Sequence, residues 1–198
     1  MLSSKRVVLP LVGSCFLPGK AKETIEKIKD QELAQIAWAE YYFFSAKAKE
    51  CVEIVEKYLN HEDVILRLSA DMLYTFSNLT LGDAYAAQCA REDVYQCLEK
   101  TMKENASLEE KASCVFAYYV ISIFIHIPPS EKIPVLEQYI PYLPIGQRLF
   151  AISLLAHQTY LKQEYSKAKG IVQGAFFMAD GIYPIAMTYL NCVQAMCQ

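Results

Sequence analysis

The chain has 198 residues, 54% hydrophobic and 21% charged, with a formal net charge of −3. That apolar content excludes intrinsic disorder and implies a packed interior, in one domain or a short repeat array. No basic patch or stripe is present, so contact with nucleic acid is not expected through these residues.

Residues 1–19 read as an extended leader before a single helical domain over 20–198. Met1 to Arg6, followed by an apolar run to Cys15, has the outline of a short signal sequence, and Val12-Gly13-Ser14-Cys15 loosely suggests a lipoprotein cleavage box. Against export stand the short apolar core, the interruption at Pro10 and the lack of a clear small-x-small site. No later run is long and charge-free enough to span a bilayer: residues 112–127 come nearest and end at Pro128-Pro129.

Helical periodicity then takes over. Residues 20–30 make a charged short helix. Residues 31–44 are strongly apolar, with Leu33, Ile36, Ala37, Tyr41 and Phe44 inward; Ser45-Ala46 turns the chain, and 47–59 returns, burying Cys51, Val55, Tyr58 and Leu59. This is a first hairpin over 31–59. A second spans 63–103: Ile65, Leu68, Met72, Leu73, Phe76 and Leu79 share one helix face, Gly82 ends that helix, and Asp83 caps the next. A third covers 107–142. It opens with a capping box at Ser107 and Glu110, has a first helix over 108–126 that is apolar nearly all round, and closes with a proline-punctuated second helix over 130–142, irregular at Pro134. A fourth spans 144–178, and a last helix over 183–197 has no partner.

The hairpins show a weak internal repeat. Counting five residues on from Ala46, Gly82 and Gln163 reaches a small residue each time: Cys51, Ala87 and Ala168. From these the pattern runs on at four and seven residues, through Val55 and Tyr58, Arg91 and Val94, and Val172 and Ala175. Cys51 and Ala87 lie 36 residues apart, close to the tetratricopeptide period of about 34. The expected fold is therefore all-α, a right-handed superhelix of antiparallel, tetratricopeptide-like hairpins. Ile185, Tyr189, Cys192, Val193 and Met196 would leave a bare apolar stripe on the last helix. Because repeat stacks need polar ends, that stripe implies a chain continuing past Gln198, or a homodimer through 183–197.

The arrangement resembles the helical-repeat region of LuxR-type (MalT-like) bacterial transcription regulators. The likeness is carried by the run Ala39 to Ser45 (AEYYFFS), the run Asp63 to Leu81, Tyr160 to Tyr165 (YLKQEY) and Gly181 to Tyr189 (GIYPIAMTY). It implies a cytoplasmic sensor and interaction domain whose helical repeats bind a small molecule or protein partner. In that family DNA is bound by a C-terminal helix-turn-helix, and no such segment is present here. The alternative is a free-standing repeat adaptor, exported as a lipoprotein.

Catalysis finds no support: the sequence lacks a nucleophile elbow, a phosphate loop and a zinc or calcium motif. Seven cysteines, odd in number and without a Cys-x-x-Cys pair, read as small hydrophobes in a reducing compartment, and the three histidines share no ligand spacing with them. No cofactor or metal is expected. His126, before two prolines, reads as a helix-end residue. The tyrosine-rich first helices of the hairpins offer the candidate binding residues, on the concave face of the stack: Tyr74, Asn78, Tyr118, His157 and Gln158.

Overall fold

Short polar side chains set the helix starts. In the computed structural model, which describes residues 18–130, 132–179 and 184–197, Asp30, Asp63, Asp83 and Ser107 each accept hydrogen bonds from backbone N–H groups of the following turn at 2.9–3.2 Å. Glu110 closes the expected capping box by accepting from the Ser107 N–H at 2.8 Å. Helices α1 (Pro18–Glu26), α2 (Gln31–Phe44), α3 (Ala48–Val55), α4 (Val64–Leu81), α5 (Ala84–Lys103), α6 (Leu108–Phe124), α7 (Ile145–Leu161), α8 (Tyr165–Met178) and α9 (Pro184–Met196) follow in order. The described residues are all-helical, with no strand. Most of the expected leader lies outside them, and Pro18, at a position where a missing N–H costs nothing, already opens α1.

The helix stops share one device. Ala46, Gly82, His126 and Gln163 take positive φ, between 58° and 85°, just past the ends of α2, α4, α6 and α7. At each, the next residue's N–H reaches back five positions: Lys47 to Tyr42 O, Asp83 to Asn78 O, Ile127 to Ser122 O and Glu164 to Thr159 O, at 2.8–3.2 Å. Three of the four are the turn residues from which the repeat was counted. Cys51, Ala87 and Ala168, five residues on, are each fully buried.

The chain divides into two compact units, residues 1–142 and 143–198. In the first, α2 pairs with α3 and α4 with α5, while α4 also packs on α2, α3 and α6. The inner face of α4, with Leu66, Leu68, Ala70, Met72 and Leu73, is sealed, as are Cys114 to Ala117, Val120 and Ile121 of α6. His61 ties this packing together. Its Nδ1 accepts the Asp63 N–H at 3.1 Å, so Nε2 carries the proton and donates to Glu32 Oε1 at 3.0 Å, joining the start of α2 to the segment before α4.

The second helix expected over 130–142 is replaced. Among the described residues there, single 3-10 turns occupy Leu136–Gln138 and Ile140–Tyr142 and pack on α6, with Leu136 buried. Pro134 and Pro141 remove two N–H donors and restrict the residues before them, which breaks helical pairing over the stretch.

In the second unit α9 lies against both α7 and α8. The expected bare stripe is thus corrected. Ala186, Leu190 and Val193 turn into a core with Leu149, Ala156, Val172 and Ala175, and Tyr189 meets the Phe150 ring edge-on at 5.1 Å. Cys192 and Met196, counted in the stripe, face solvent. The buried line runs one residue away from the one read in the sequence, because small Ala186 lets α9 approach closely. Among the described residues, no helix is long and apolar enough to cross a membrane.

Gly82 separates backbone strain from packing, since a Cβ added there meets nothing within 4 Å. Gly82→Ala is expected to cost about 1 kcal/mol through its left-handed φ alone, and Ala46→Gly to gain about 0.5 kcal/mol. Urea unfolding of the two variants checks both signs.

Candidate functional site

Each first helix of the first unit carries, in its C-terminal half, a phenylalanine that it does not bury completely. Phe43 of α2 lies 6.0 Å from Phe76 of α4, centroid to centroid, and Phe76 lies 4.8 Å from Phe124 of α6. Phe44, 53% exposed, extends the row by packing edge-on against Phe43 at 5.3 Å. All three inner rings are half-buried. The result is a continuous aromatic strip across three successive first helices, set by their Phe positions and by the close packing of α2, α4 and α6. Such a strip offers flat apolar surface, positioned by a rigid scaffold, to an apolar or aromatic ligand group.

The residues read from the sequence as binding candidates fall elsewhere. Asn78 is buried, and its Nδ2 donates to the Tyr74 carbonyl at 2.9 Å, within its own helix. Tyr74 is half-buried; desolvation first, then Glu56 and Asp83, push its hydroxyl pKa up. Tyr118 is 1% exposed and structural. Its hydroxyl accepts from Arg91 Nη2 at 2.6 Å and from the Ser130 N–H at 3.3 Å, while the guanidinium stacks over its ring at 4.8 Å. Arg91 also donates to Ser122 Oγ at 2.8 Å and to Pro128 O at 3.3 Å, so it pins the chain after α6 onto α5. His157 and Gln158 are half-buried on α7, in the second unit. The aromatic strip was missed because Phe76 reads as one more core position on α4; the signal was that α2, α4 and α6 each carry a phenylalanine near the C-terminal end.

A second feature lies inside the first unit. Asp71 of α4 is fully buried, and neither carboxylate oxygen has a hydrogen-bond partner. Arg67, one turn earlier, comes only to 4.0 Å through an Nε that is itself without a hydrogen bond. Burial raises the Asp71 pKa well above the ordinary carboxylate range; Arg67 opposes this, and Asp93 and Cys97 add to it. Among the described residues, no group of three metal-ligating side chains is gathered.

Set against family models, curated proteins and solved structures, the chain finds no match in any of the three.

Two outcomes follow from this geometry. Tyr118→Phe keeps the ring and removes one acceptor from Arg91, and should lower stability by about 1 kcal/mol in denaturant unfolding. For Asp71 the folded state holds its proton more tightly than the unfolded one. Stability is therefore greatest below the unfolded carboxylate pKa, near 3.8, and declines as pH rises from there through the raised folded value. Asp71→Asn should flatten that part of the profile, measured as unfolding free energy at stepped pH; an unchanged slope would assign the decline to other groups.

Proposed function

We propose that this chain is a tetratricopeptide-like binding module that takes an apolar partner segment or effector on the aromatic strip of Phe43, Phe76 and Phe124. The strip is the observation that carries the reading. The pairing order in the first unit supports it: α4 packs on its own second helix α5, on the preceding second helix α3 and on the next first helix α6, and α6 packs in turn on α5, as stacked helical repeats require. The left-handed stops at Ala46, Gly82 and Gln163, each followed five residues later by a buried small side chain, support it too. In stacks of this kind the first helices line an extended concave surface, where partners are bound.

Within that reading the chain is the sensor and interaction part of a LuxR-type transcription regulator, with DNA bound by a helix-turn-helix elsewhere in the protein. What supports this assignment is the resemblance of sequence noted above, together with the absence of a basic stripe. Reading the gene beyond codon 198 tests it. An open frame running into a helix-turn-helix would establish the regulator; a stop codon there would leave a free-standing repeat adaptor.

The binding reading has its own experiment. A panel of apolar and aromatic peptides and small effectors, titrated against the labelled full chain by heteronuclear NMR, should shift the amides around Phe43, Phe76 and Phe124 saturably. Phe76→Ala should weaken that binding at least about tenfold. Tyr85→Ala, at a ring 78% exposed on α5, should leave it unchanged. Shifts centred on another face would overturn the assignment.

A further inference from the structure

In the second unit, α8 turns Ala168, Val172 and Ala175 inward, all fully buried or nearly so, and the opposite side of the helix is open. Ser166, Gly170, Gln173 and Phe177 lie along that side, four, three and four residues apart, and all are exposed. This is the spacing that keeps one seam of a helix against a partner helix. Phe177 is 92% exposed, more than any other large apolar side chain among the described residues. Two turns earlier, Gly170 presents bare backbone. A Cβ built there, or at Gly174, would meet nothing within 4 Å, so the packing of the chain itself requires neither glycine. Both weaken the helix relative to alanine.

The charges of α8 are also placed badly for a helix standing alone. Lys167 and Lys169 are its only charged side chains, and both lie in the first half, where the backbone dipole is already positive. Glu164, at the N-cap, balances one of them by accepting from Lys167 Nζ at 3.0 Å. The last turn carries no base.

We propose that the open face of α8 is the contact of an antiparallel homodimer, in which Phe177 of each copy seats on the bare backbone at Gly170 of the other. This contact is independent of binding at the aromatic strip, and either can fail alone.

Antiparallel pairing answers the features of shape and charge together. Phe177 and Gly170 are about 10.5 Å apart along the helix axis. A two-fold axis midway between them, beside Gln173 and Gly174, therefore brings each ring onto the other copy's glycine, once at either end. Missing side chains at 170 and 174 let the two helices approach to the short end of the usual range, roughly 8 Å between axes. At the two-fold axis Gln173 meets its own counterpart, and each carboxamide can donate to and accept from the other. Lys169 then lies beside the last turn of the second copy, where the carbonyls carry partial negative charge. A parallel pair would instead set lysines against lysines. Two rings and one helix face bury less than the roughly 1,200 Å² of a stable interface, so the dimer forms in a concentration-dependent way.

Sedimentation of the full chain from about 10 μM to about 1 mM should show the mass rising from one chain towards two. Amide shifts that follow concentration should centre on Gly170, Gln173, Gly174 and Phe177. Gly170→Leu fills the recess, and the single chain has room for it. It should weaken dimerisation at least about tenfold while raising the melting temperature of the monomer, a pairing of effects that a misfolded variant would not give. Phe177→Ser should weaken dimerisation as much, and Lys169→Glu about threefold. Phe76→Ala, on the aromatic strip, should leave it unchanged. A single-chain mass across the whole range would overturn the proposal. So would a dimer that survives both Gly170→Leu and Phe177→Ser, or one lost with Phe76→Ala, which would put the contact on the first unit.

Discussion

The first unit depends on the burial of α4, and α4 can be buried because most of its polar side chains bond to its own backbone. Ser69 donates to Ile65 O, Thr75 to Asp71 O and Asn78 to Tyr74 O, at 2.7–2.9 Å, each one turn back. A hydroxyl or carboxamide satisfied this way needs nothing from a neighbouring helix, so leucines and alanines can occupy the contacts instead. A carboxylate has no such route. It only accepts, and the helix carbonyls around it only accept as well. Asp71 is for that reason left without a hydrogen-bond partner, and the electrostatics of the interior gather around it.

Much of this was legible in the sequence. The caps at Asp83 and Ser107, the stop at Gly82 and the bounds of α7 and α8 follow from local chemistry that a single chain displays. The turns at Ala46 and Gln163 were placed by breaks in helical periodicity, not by residue type, since nothing about alanine or glutamine predicts a positive φ. Where reading failed, the cause was competition between equally good local patterns. The 130–142 stretch has helical spacing, but its prolines withhold the donors that spacing would need. On α9 two adjacent lines of apolar residues are available. Which one turns inward depends on how closely α7 and α8 allow the helix to approach, a tertiary fact.

The binding candidates were the least legible part, for a related reason. Tyrosine and asparagine invite a functional reading because they carry hydrogen-bonding groups. Inside a helical stack those same groups are consumed by local structure, as with Asn78 on its own carbonyl and Tyr118 beneath Arg91. What remains available at the surface of α2, α4 and α6 is the side chain with no polar group to satisfy. Phe43, Phe76 and Phe124 stay half-buried there, and ring packing across the three helices links them.

The charges of the interior follow from a shortage of partners. One guanidinium, Arg67, stands 4.0 Å from Asp71; burial raises the Asp71 pKa, Arg67 lowers it, and Asp93 and Cys97 raise it. Asp71 has no hydrogen-bond donor, so burial outweighs the pull of Arg67 and favours its neutral form. An unpaired carboxyl in the middle of a helix looks like a defect in packing; it is tolerated there because burial favours its neutral form.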